Sequence, residues 1–110
     1  LSVTELSEKI QQQLQRVPTV VVAGNHPIKT IAWCTGGAQG YIQQAIALGV
    51  DAFVSGEISE QTTHEARENG VHYFAAGHHA TERYGAPALG EYIANQFNLE
   101  HQFIDIDNPA

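Results

Sequence analysis

His78 and Glu82 stand four residues apart in Gly77-His78-His79-Ala80-Thr81-Glu82-Arg83, a stretch between an apolar run and a long amphipathic one. If a strand ends there and a helix opens, an imidazole and a carboxylate share one face of the first turn. That is half of a metal site. The same residues also fit an ordinary turn, with Glu82 complementing the positive end of a helix dipole. Spacing alone leaves both readings open.

Three further groups are candidates for chemistry. Thr35-Gly36-Gly37 opens a glycine-rich turn through Gly40, whose N–H groups could cradle an anion; tight packing explains its glycines equally well. Glu57, just past a strand, is placed to orient a ligand histidine from behind or to meet a cation, or else to act as a helix-start charge. His64 follows Glu60 by four residues, a spacing that suits ligands but more simply gives a solvated pair. His26, His72 and His101 have no partner at recognisable spacing and read as structural. Asp105 and Asp107 flank Ile106, as cation ligands or, more simply, as the solvated edge of a sheet. No nucleophile elbow or paired Cys-x-x-Cys motif is present.

The elements that must position these groups follow from periodicity. Val3, Leu6, Ile10 and Leu14 recur at helical spacing behind a Ser2/Glu5 capping box, until Val17-Pro18 ends the pattern. Thr19 to Ala23 and Ile28 to Cys34 read as strands separated by the turn Gly24-Asn25-His26-Pro27, the first as a sheet edge. A helix through Ile42, Ala45, Ile46 and Leu48, a strand Ala52 to Ser55, a polar helix from about Ser59 to Asn69 and a strand Val71 to Ala76 come next. A helix through Leu89, Ile93 and Phe97 and a last strand, His101 to Ile106, complete the chain. This order predicts an α/β fold: a three-layer domain over residues 1–110, with a mostly parallel sheet and helices on both faces. Loops after successive parallel strands lie along one edge, so Thr35-Gly36-Gly37, Glu57 and His78-His79 should converge there. Trp33 reads as core.

Composition narrows the function classes. The 110 residues suit one domain, with 43% apolar and 15% charged residues. No apolar run approaches a membrane span. Twelve acidic against five basic residues, a formal charge of −7, oppose binding of intact nucleic acid. The single cysteine, Cys34, cannot form an internal disulfide and points to a reduced, cytoplasmic setting. With no methionine and a start that already reads as a helix, the chain is expected to be a piece of a longer protein.

Several stretches, taken together, resemble a known family. They are Ile31-Ala32-Trp33-Cys34-Thr35-Gly36-Gly37, Asp51 to Thr62, Ala75 to Arg83 and Phe103-Ile104-Asp105-Ile106-Asp107-Asn108-Pro109-Ala110. In the same order they resemble the carboxy-terminal part of bacterial Nif-three-like proteins, the YbgI-type GTP cyclohydrolase 1 type 2 homologues. The resemblance implies a protein about twice this length, with two similar α/β halves, a dinuclear metal centre between them and a ring-shaped homohexamer. It places two ligands of that centre on His78 and Glu82. Glu57 and His79 would then support those ligands from behind. A His-His pair and an aspartate would come from an amino-terminal half that no segment here matches. The implied cofactors are two divalent ions, Zn, Mn or Fe, and the implied activity is metal-dependent hydrolysis of a nucleotide-like small molecule. The alternative is an interaction or assembly module of the ring, without catalysis.

Overall fold

A computed structural model describes all residues from Leu1 to Ala110. Helix α1 (Val3–Leu14) begins with the expected capping box: Glu5 N–H donates to Ser2 Oγ at 3.1 Å and Ser2 N–H donates to Glu5 Oε2 at 2.7 Å. Its apolar stripe, Val3, Leu6 and Ile10, packs with Ile28, Ala52 and Phe74. After it come β1 (Thr19–Val21), β2 (Ile31–Cys34), a single 3-10 turn leading into α2 (Ile42–Leu48), and β3 (Ala52–Ser55). The chain continues through α3 (Glu60–Asn69), β4 (His72–Ala75), α4 (His78–Glu82) and α5 (Gly85–Phe97).

The sheet has the order β1-β4-β3-β2. Strands β2, β3 and β4 are parallel, and β1 runs antiparallel to β4 at one edge. Alternation along the strands sends Phe74, Val54 and Ala52 toward α1. Tyr73, Ala75 and Phe53 turn to the other face, where Ile42 and Ala45 of α2 and Ala66 of α3 cover them. All four residues of β4 are therefore buried, as a strand covered on both faces requires. The three-layer α/β expectation holds.

Polar contacts secure the start of the parallel strands. Asp51, just before β3, accepts from Lys29 N–H at 2.9 Å, Thr30 N–H at 2.8 Å and the Thr30 hydroxyl at 3.0 Å, fixing where β2 enters. Buried His72 accepts from Ala23 N–H through Nδ1, donates through Nε2 to the His26 carbonyl, and stacks on the His26 ring at 4.1 Å. Both histidines are structural, as expected.

Two sequence expectations are overturned. Trp33 is not core: it is 72% exposed. It lies on β2, the sheet edge opposite β1, and α1 covers the β3 and β4 side of that face. The last strand, His101 to Ile106, also does not form; the segment has no regular structure and is exposed throughout. Neither sheet edge pairs with it. Instead the tail runs back past α4. Arg16 Nη1 donates to the Ala110 carbonyl at 2.7 Å, His79 N–H donates to the same oxygen at 3.0 Å, and Asp105 sits beside His79 and Arg83. Asp105 thus solvates no sheet edge.

Candidate metal-ligand site

The carboxyl ends of the parallel strands form the site. The loops after β2, β3 and β4 are stitched together by main-chain bonds: Gly56 N–H donates to the Gly36 carbonyl at 3.0 Å, and Gly77 N–H to the Gly56 carbonyl at 2.9 Å. Thr81 of α4 closes the set by accepting from Gly36 N–H at 3.0 Å. This brings Gly36, Glu57 and His78 side by side, although they lie far apart in the sequence.

His78 lies between two carboxylates. Its Nδ1 is 2.5 Å from Glu57 Oε1, and its Nε2 is 3.0 Å from Glu82 Oε2. Helical spacing explains the second contact; the first depends on the β3 loop. The Glu57 main chain is pinned by the Tyr73 hydroxyl, which donates to the Glu57 carbonyl at 2.6 Å, while burial pushes the Tyr73 phenol up to about 12. The bond from Glu57, reinforced by the charges of Glu82 and Glu57, raises the pKa of His78. The reciprocal bond from His78 lowers that of Glu57. Between these neighbours His78 is stabilised as an imidazolium that donates to both.

The donor set fits part of a cation site. His78 Nε2 and Glu82 Oε2, 3.0 Å apart, are an imidazole nitrogen and a carboxylate oxygen, both donor types that divalent cations take. Glu57, on the opposite ring nitrogen, holds the imidazole as carboxylates behind metal-bound histidines do. No group of three or more histidine, cysteine, aspartate or glutamate side chains in the chain is arranged to hold a cation, so a cation at this pair would need further ligands.

The remaining candidates fall into place around this pair. His79 meets the tail, with Nε2 3.5 Å from Asp105, whereas Glu57 is the residue in contact with His78 Nδ1. Gly36 has φ +71, and a Cβ there would collide with the Glu82 carboxylate; close approach accounts for this glycine. An anion at Thr35-Gly36-Gly37 would lie against the carboxylates of Glu57 and Glu82, and the Gly36 N–H is already donated to Thr81. His64 and Glu60 form an exposed pair at 3.7 Å, remote from the site chemistry. Periodicity did not flag Thr81 or Tyr73, because a threonine within a helix and a tyrosine within a strand carry no spacing signal.

These features define an α/β domain that gathers one histidine and two carboxylates at the carboxyl ends of its parallel strands. Residues 1–109 match the model of the Duf34/NIF3 (NGG1p interacting factor 3) family, and the chain belongs to it. It is 60% identical over 106 residues to the GTP cyclohydrolase 1 type 2 homolog of Pseudomonas aeruginosa, covering 96% of this chain and 42% of that protein. The solved structure of protein ybgI, described as of unknown function, superposes with a TM-score of 0.95 at 49% identity, covering 100% of this chain and 45% of that one. TTHA1606 from Thermus thermophilus gives a TM-score of 0.87 at 26% identity, over 96% of this chain and 43% of that one. The chain thus spans under half the length of these relatives. No helix is long and apolar enough to cross a membrane.

Proposed function

We propose that this chain is the carboxy-terminal part of a metal-dependent hydrolase acting on a nucleotide-like small molecule, with His78 and Glu82 as two ligands of a dinuclear centre completed by an amino-terminal half. The carrying observation is the 3.0 Å separation of His78 Nε2 and Glu82 Oε2, with Nδ1 held from behind by Glu57. Two divalent cations, Zn, Mn or Fe, would supply Lewis-acid activation of water and substrate. The chain's own residues prepare for them. Glu57 would fix the imidazole plane by accepting the hydrogen bond from Nδ1–H, and Nε2 must release its proton before it can ligate. Gly36 leaves room for the Glu82 carboxylate, and Thr81 holds the two loops at that spacing. The name its relatives carry, GTP cyclohydrolase 1 type 2 homolog, supports the nucleotide-like substrate class.

The exposed apolar stripe on α5 favours a second reading, a module that assembles with an amino-terminal half and with other copies in a ring, without catalysis. Metal content distinguishes the two. In the longer parent protein, His78→Ala and Glu82→Ala should each lower bound metal, measured by plasma mass spectrometry, while leaving the circular dichroism spectrum unchanged. Undiminished metal in both variants would refute the ligand assignment and leave the assembly reading.

A further inference from the structure

Next to the candidate site, the sheet face that α1 covers is left open over β2. Leu14, the last residue of α1, bounds a groove there with Ile31, Trp33 and Val54, and Thr35 and Thr81 form its rim. Both threonines adjoin the site: Thr35 precedes Gly36, and Thr81 precedes Glu82 and accepts from Gly36 N–H. The sheet register pairs Trp33 with Val54, so the indole rises from the same face as the apolar layer beneath α1. It is the only tryptophan in the chain.

We infer that this groove binds a planar heteroaromatic ring stacked on Trp33, and that Trp33 positions this end of the substrate beside His78 and Glu82. The inference rests on the nucleotide-like substrate proposed above. Three properties carry it. The open groove has a volume of about 270 Å³, just below the roughly 300 Å³ at which small-molecule sites begin, room for one ring system. Its floor is apolar and offers an indole face, the surface on which heterocycles stack with little dependence on their substituents. Its lining includes Thr35 and Thr81, the chain neighbours of Gly36 and Glu82, so a ring held there has its other end toward the His78–Glu82 pair.

Because Trp33 is the sole tryptophan, its fluorescence reads this groove alone. The 110-residue chain is titrated with guanosine and, separately, with ribose 5-phosphate, and metal content is measured on the longer parent. Saturable quenching by guanosine and none by ribose 5-phosphate is the expected result. By calorimetry Trp33→Phe should keep guanosine binding within about threefold, and Trp33→Ala should weaken it by about tenfold or more. Absence of quenching by guanosine, or equal binding by the alanine variant, would overturn the inference. So would an emission shift that follows protein concentration and is indifferent to guanosine, which would make the groove a contact between copies. Failure of metal binding by the longer parent with quenching retained here would count against the metal centre alone, whereas metal uptake by the parent without quenching here would count against the groove alone.

Discussion

Helices α1 and α5 carry the same kind of pattern and meet opposite fates. In α1, Val3, Leu6 and Ile10 lie on the sheet against Phe74 and Ile28. In α5, Leu89, Ile93 and Phe97 recur at four-residue spacing and no residue is buried; Leu89 is 60% and Phe97 70% exposed. Periodicity states that a helix face wants cover, and it is silent on which surface provides it. For α1 the cover is encoded within these 110 residues. For α5 it is not, in a chain that spans under half the length of its relatives.

The comparison can be broken by substitution. The largest effect is expected from Phe74→Ala at the centre of β4, fully buried, at about 3–5 kcal/mol of stability. Leu6→Ala on α1 should cost about 2–5 kcal/mol, whereas Leu89→Ala on α5 should change the unfolding free energy of this chain by less than about 0.5 kcal/mol. Denaturant unfolding of the three variants checks all of these, and a Leu89 effect matching that of Leu6 would mean that α5 is packed. Gly36→Ala forces a side chain into left-handed backbone, at about 1–2 kcal/mol before its collision with Glu82 is counted. In the longer parent it should also lower bound metal.

The smallest effect concerns pH. Hydrogen bonds from Lys29 N–H, Thr30 N–H and the Thr30 hydroxyl hold the Asp51 carboxyl below its ordinary value. A lowered pKa means that the folded state favours the carboxylate. Its contribution is therefore complete above the ordinary carboxylate range and lost as pH falls through the folded value. Asp51→Asn should flatten the acid side of a melting-temperature profile slightly. An unchanged slope would show that the contacts at the β2 start are not coupled to folding.

Legibility followed the same division. Alternating strands and helices placed the three loops at one edge, and helical spacing paired His78 with Glu82, because both are local patterns that a parallel sheet converts directly into geometry. Glu57 was a candidate by position, but its bond to His78 Nδ1 depends on the loop register that Thr81 and the Gly36–Gly56–Gly77 main-chain ladder set. Trp33 and the tail were misread for one reason. An apolar alternating run in the sequence looks the same whether its cover is an internal helix, an added strand or something outside these residues. The family resemblance supplied the ligand roles; spacing by itself left a turn and a metal site both open.

The most direct test of the central claim is the metal content of this chain and of its longer parent, measured side by side by plasma mass spectrometry after dialysis. About two equivalents are expected in the parent, as a dinuclear hydrolytic centre holds, and none retained here, where the proposed ligands are His78 and Glu82 alone. Stoichiometric metal in this chain alone would contradict a site shared between two halves. Metal in neither protein would contradict the centre itself.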